Sequence, residues 1–255
     1  MKEWHDIGIS LEKSLRPETF PLAARFLVEG EPPPERARRP LDEAGCSIAL
    51  CQGFSISRRR GLTLVFDLES SSCPLANAAM GWVGSPDPSF LVSFLQVMNY
   101  ARDEETARRR AEGMAMLPAG KYPMLVLSPL ARTRVEPHVI MVYANAAQVM
   151  RLVQATARWT GERVPAAFGG IAGSCNDGLV RTFLSDVPQA ALPGNGDRVF
   201  AAAQDRELVF AFPASWAERI VEGLEATAAR GIRYPIPTFM EYKLPFADLV
   251  AKFGS

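Results

Sequence analysis

The stretch YPMLVLSPLARTRVEPHVIMVYANAAQVMRLVQA, residues 122–155, decides the fold. PMLVL at Pro123–Leu127 and VIMVY at Val139–Tyr143 are apolar throughout, with no polar alternation. Strands covered on both faces read that way, so these two are expected at the centre of a sheet. Asn145 with Gln148 three residues on is a variant of the capping box, and it predicts a helix to Trp159. The core side of that helix is expected to carry Val149, Met150, Val153 and Ala157, with Arg151 and Arg158 in solvent.

Upstream, residues 6–17 read as a helix ended by the Arg16-Pro17 step, and Leu22–Val28 as a strand. EGEPPPERARRP, residues 29–40, is a polar, proline-rich loop. A helix over Asp42–Ser57 is expected to stop at the solvated basic run Arg58–Arg60 and Gly61, before a strand at Leu62–Phe66. Asp103–Met114 is a charged surface helix. Downstream, a strand near Val164–Phe168 leads into a glycine cluster at 169–173, and a helix begins around Ser174. Glu207–Phe212 reads as a strand and Ala214–Arg230 as a helix stopped by Gly231. Strands and helices alternate imperfectly, which predicts an α+β fold. The expected organisation is a single compact domain over 1–255, with a mixed β-sheet flanked by helices and an irregular tail at 238–255.

Hydrophobic residues make up 48% and charged residues 22% of the 255-residue chain, a balance that rules out wholesale disorder. The 28 basic and 28 acidic side chains cancel, which argues against bulk electrostatic binding of nucleic acid or anionic membrane. The segment MKEWHDIGISLEKSLRP has no apolar core of the kind a secretory signal carries. The least charged stretch, Ser70–Ala101, is interrupted by Pro74, Gly81, Gly84, Pro86 and Pro88, so it offers no run of about 20 apolar residues. A cytoplasmic protein is expected, with a small molecule as its partner rather than nucleic acid or membrane, and with homo-oligomerisation left open. In that reducing compartment four cysteines are available for metal binding or catalysis.

No GxSxG, HExxH, CxxC or Walker A pattern occurs. His5 and His138 are isolated, and His138 reads as a structural or surface residue. Cys175, in GGIAGSCNDG, falls at an expected helix start, where backbone N–H groups and the helix dipole would lower its pKa. Cys73 has a similar address, with Ser71-Ser72 before it and Pro74 after. Either one alone also fits a buried, inert core cysteine. Cys46 and Cys51, five apart, would lie on roughly opposite sides of one helix.

The runs CQGFSISRRRG, SSCPLANAAMGW, YPMLVLSPL, EPHVIMVYANAAQVMRLVQA, GSCNDGLVRTFL and GIRYPIP together resemble the domain-of-unknown-function family 169, a mainly archaeal and anaerobic-bacterial group. The likeness spans about residues 20–237 and is most specific from Glu136 to Ala155. It implies that Cys51, Cys73 and Cys175 occupy the family's cysteine positions, whereas Cys46 does not. Relatives carry a further cysteine after the Leu192-Pro193 step; here that place is Gly194, so a four-cysteine site is not implied.

Three separated thiolates are soft ligands suited to an iron–sulfur cluster, zinc or copper(I), and the paired knuckles of structural zinc are absent. A [4Fe-4S] cluster on Cys51, Cys73 and Cys175 leaves one iron open to a small-molecule substrate. On that reading Gly173 lies beside the cofactor, and Asn176, Asp177 and Arg198 are the catalytic candidates, with Asn195 and Asp197 as further polar groups. The protein would then be an iron–sulfur-dependent lyase or oxidoreductase. Two other classes stay open. One is a haem- or metal-binding carrier, with Cys or His138 as axial ligand and a pocket lined by Gly81–Tyr100. The other is a metal-free small-molecule binder with core cysteines; a dithiol redox enzyme, which needs two cysteines close together, also stays open.

Overall fold

The computed structural model describes residues 3–83 and 88–236. The expected tail at 238–255 lies outside these residues. Seven strands form one sheet: β1 Leu22–Leu27, β2 Leu64–Phe66, β3 Met124–Pro129, β4 Val139–Asn145, β5 Ala166–Ala167, β6 Gln189–Ala191 and β7 Glu207–Pro213. Their order is β2-β3-β1-β4-β7-β6-β5, antiparallel except for the parallel β5–β6 pair. The α-helices are α1 Trp4–Leu15, α2 Pro40–Ala44, α3 Leu50–Arg60, α4 Pro74–Ala79, α5 Pro88–Val97, α6 Glu104–Glu112, α7 Ala146–Thr160, α8 Arg181–Ser185, α9 Asn195–Val199 and α10 Ala217–Ala228. A π-helix occupies Gly173–Val180. This is the mixed-sheet α+β class that the apolar runs predict, and both β3 and β4 are interior strands.

The period-2 geometry of a strand explains why those runs are apolar at every position. In β4, Val139, Met141 and Tyr143 face one core, while Ile140, Val142 and Ala144 face another. β7 splits in the same way, with Val209 and Ala211 on the first face and Phe210 and Phe212 on the second. The first face packs on residues of α3, α4 and the π-helix, and the second on residues of α1, α7 and α10. A further apolar cluster joins α4, α5, α6 and Ile171. No helix among the described residues is long and apolar enough to cross a membrane.

Three sequence expectations need correction. The helix expected over Asp42–Ser57 is two helices, because Gly45 adopts φ 72° and ends α2. The connection runs extended, with Ile48 bridging to Ser71. α3 then starts at Leu50, where Gln52 Oε1 accepts the Ala49 N–H at 2.9 Å. Cys46 is therefore exposed in a connection rather than sitting on a helix opposite Cys51.

The second correction concerns the basic run. α3 continues to Arg60, and Arg58 is 1% exposed. Its guanidinium pairs with Glu207 at 2.8 and 3.2 Å and lies 4.0 Å from the Tyr143 ring centroid. Only Arg59 and Arg60 behave as a solvated helix end.

The third concerns α7, whose cap is as expected: Asn145 Oδ1 accepts the Gln148 N–H at 3.0 Å and Gln148 Oε1 accepts the Asn145 N–H at 2.8 Å. Its buried face, however, is Gln148, Val149, Arg151, Leu152, Ala155 and Thr156, and Met150 is exposed. Val153 is half-buried against the same core, and Arg158 is exposed as expected. Close packing on α10 sets this face. A Cβ at Gly223 would sit 2.7 Å from the Ala155 carbonyl oxygen, so the two backbones touch there. Positions 148, 151, 152 and 155 form the i, i+3, i+4, i+7 stripe around that contact.

Removing one partner of a buried ion pair leaves the other charge unpaired in low dielectric. Arg58→Ala is expected to destabilise the protein by about 3–5 kcal/mol in urea unfolding. Arg60→Ala, which removes an exposed side chain from Glu43 while Arg38 still pairs with that carboxylate, is expected to cost much less.

Candidate functional site

Cys51, Cys73 and Cys175 line one cavity of about 190 Å³ between the sheet-facing core and the α5–α6 cluster. Each comes from a different helix start. Cys51 is the second residue of α3, Cys73 is the N-cap of α4 with Pro74 following, and Cys175 is the third residue of the π-helix. Asp197, from the first turn of α9, lines the same space. Most of the remaining wall is apolar and includes Leu75, Phe94, Met98, Tyr100 and Phe200. The helix-start signal in the sequence thus holds for Cys51 as well, where the unrecognised Gly45 break hid it.

Gly173 makes this arrangement possible through its lack of a side chain. A Cβ there would lie 1.9 Å from the Leu192 carbonyl oxygen and 2.8 Å from the Gly194 nitrogen. Ala172, just before it, takes a left-handed φ of 49°, uncommon for a residue with a side chain. The thiol of Cys175 donates to the Ala172 carbonyl at 3.6 Å. π-helical turns are rare and concentrate at functional sites, and all eight residues of this one are buried.

Burial decides the electrostatics. It pushes the Cys175 thiol well above its ordinary pKa, and nearby Cys73, Asp197 and Cys51 push in the same direction. The Asn176 backbone N–H pulls the other way, as a helix start should, but it is outweighed; the expected lowering of the Cys175 pKa is therefore not found. The Cys51 thiol is also raised, by burial first and then by Asp197 and Cys73. Asp197 accepts the Gly194 N–H at 2.8 Å and the Ser174 N–H at 3.5 Å through Oδ2. Its Oδ1 is buried without a hydrogen-bond partner, and burial raises this carboxyl above the usual range despite the contacts with Ser174 and Gly194 and the charge of Arg58.

The catalytic candidates Asn176, Asp177 and Arg198 lie around this cavity rather than in its lining. Asn176 clamps the Ala115 backbone, accepting its N–H at 3.1 Å and donating to its carbonyl. Asn176 and Asp177 line a second cavity of about 490 Å³, which shares Ile171 with the first and includes Arg110, Arg181 and Gln189. Asp177 accepts the Gly169 N–H at 2.9 Å, and burial raises its pKa. Arg198 donates to the carbonyls of Gln204 at 2.6 Å and Glu207 at 3.4 Å, tying the loop after α9 to β7. Asn195 lines the cysteine cavity beside Asp197. His138 does not line it: its Nδ1 accepts the Phe26 N–H at 3.2 Å, and its ring stacks on Phe26 and packs on Phe183. Among the described residues, no group of three or more His, Cys, Asp or Glu side chains is set to hold a metal ion.

The chain belongs to the domain-of-unknown-function family 169, DUF169, described as Uncharacterised ArCR, whose model matches residues 10–223. It is similar to Uncharacterized protein MJ0308 of Methanocaldococcus jannaschii, with 28% identity over 176 residues covering 69% of this chain and 75% of that protein. No solved structure matches the chain.

Two outcomes follow from the burial of these groups. In the metal-free protein, iodoacetamide should label exposed Cys46 first, half-buried Cys51 more slowly and buried Cys175 only after denaturation, as peptide mass spectrometry would resolve. For Asp197 the folded pKa is raised, so the stability its neutral form allows is complete at low pH and is lost as pH rises through the folded pKa. Asp197→Asn keeps an acceptor for Gly194 and removes that loss. It should raise the thermal midpoint at pH 7, with the gain vanishing below about pH 4, where the carboxyl is protonated in both states.

Proposed function

We propose that this family member is a cytoplasmic iron–sulfur protein that acts on a small molecule, with Cys51, Cys73 and Cys175 as the thiolate ligands of a [4Fe-4S] cluster. The observation that supports this most is the meeting of three cysteines, from helix starts up to about 120 residues apart in sequence, on one small cavity. In a cubane each thiolate takes a different iron, so thiols spread around a cavity wall suit a cluster better than a single ion. Positive metal charge also reverses the cost of ionising thiols in this buried place, because a coordinated thiol is held deprotonated.

With three protein ligands, such a cluster supplies an open iron for Lewis-acid or one-electron chemistry. The chain's own residues supply the rest. Leu75 and Phe94 give the cavity an apolar wall. Asp197, with its raised pKa and unpartnered Oδ1, is the residue suited to holding a proton beside the thiols. Asn195 is a second polar group for orienting a substrate. This chemistry fits a lyase or an oxidoreductase. The volume favours a cluster over haem, because pockets for ligands of drug size or larger start at roughly 300 Å³. A metal-free binder with core cysteines is the second reading, favoured by the Cys175 thiol donating to a carbonyl.

Purification without oxygen, followed by iron and sulfide analysis, separates these readings. About four irons and four sulfides per chain, with broad charge-transfer absorbance, are expected. Cys175→Ser should abolish that absorbance and Cys46→Ser should leave it intact. A sharp Soret band would favour the haem carrier, and a colourless, iron-free protein after reconstitution would favour the metal-free binder.

A further inference from the structure

On the opposite side of the sheet from the cysteines, a cavity of about 350 Å³ opens between α1, α7 and α10. Its volume falls in the range of small-ligand pockets, roughly 300–1,000 Å³. Among the described residues, three cations line it, Lys13, Arg151 and Arg233, with one carboxylate, Glu225. Ser10 and Ser14 accompany Lys13 on one face of α1, at the i, i+3, i+4 spacing, and Tyr234 adds a phenol.

Arg151 is the unusual member. It is 1% exposed, yet no carboxylate among the described residues lies within ion-pair distance of it. Its partners are neutral oxygens: Nη1 donates to Gln154 Oε1 at 2.7 Å, and Nη2 to Thr227 Oγ1 at 2.7 Å and the Leu224 carbonyl at 3.3 Å. Its Nε is buried without a partner. A buried arginine is ordinarily matched by an anion, because an unmatched charge out of water is costly.

We infer that this cavity is a binding site for a phosphate group, free or carried on a small metabolite, with Arg151 as its buried fixed charge and Lys13 and Arg233 as mobile clamps. The donor geometry favours phosphate over carboxylate. With Nη1 and Nη2 already committed, Arg151 cannot offer the two-pronged fork that a planar carboxylate takes best. What remains is positive charge from three directions and three hydroxyls, which matches an anion with several terminal oxygens and up to two charges.

The test is calorimetric titration of the full-length protein with inorganic phosphate, pyrophosphate and succinate at low ionic strength. Saturable one-to-one binding of phosphate or pyrophosphate is expected. Lys13→Ala and Arg233→Ala, both exposed side chains, should each weaken it about ten-fold or more, the loss typical of one charge-assisted contact. Arg109→Ala, an exposed arginine on α6, should leave it unchanged. If pyrophosphate binds and phosphate does not, the group is taken from an ester or anhydride rather than free in solution. The inference is overturned if neither phosphate species saturates, if succinate alone binds, or if Arg109→Ala weakens binding as much as Lys13→Ala.

Discussion

Two stretches of backbone, one at Gly173 and one at Leu192–Gly194, pass so close that no side chain fits between them. The cysteine cavity depends on this contact. One of the two stretches opens the π-helix that carries Cys175, and the other leads into α9, which carries Asp197. Any Cβ at position 173 would force them apart, and the thiol and carboxyl with them. Gly173 therefore serves the site by position, as a spacer between two chain segments.

The sheet sets the remaining distances. β4 and β7 are buried on both faces, so each commits alternate side chains to two separate layers. One layer positions α3 and α4, and hence Cys51 and Cys73. Beneath them Arg58 and Glu207 join α3 to the start of β7, with Tyr143 stacked on the guanidinium. Burial makes the carboxyl of Asp197 difficult to ionise, although the charge of Arg58 pulls the other way. The other layer holds a buried arginine whose partners among the described residues are neutral oxygens. The sheet thus keeps apart a site of buried groups whose pKa values are raised and a site lined by basic side chains.

Much of this was legible in the residues. PMLVL and VIMVY announced interior strands, and Asn145 with Gln148 announced a capped helix, because burial and capping act over a few positions. Pro74 marked the start of α4 for the same reason. What could not be read needed a distant partner. Arg58 looks like any helix-terminal cation until Glu207, 149 residues away, comes beside it. Arg151 is drawn inward by the crossing at Gly223, which no local pattern encodes. Gly45 did carry a local stop signal, and recognising it would have moved Cys51 to a helix start. The helix-dipole expectation for Cys175 had the right sign for the N–H contribution, but desolvation was invisible without the packed core.

The π-helix has a further consequence, which concerns counting. A π turn takes about one residue more than an α turn, and in an α-helix each residue advances the face by roughly 100°. The direction in which Cys175 points is therefore fixed by the number of residues between Ala172 and Arg181 as much as by their identity. A chain one residue shorter here could regain regular α geometry and better local hydrogen bonding, yet turn its thiol away from the other two. The segment holds an extra residue as a registration mark, and its length is a constraint that substitutions alone would never reveal.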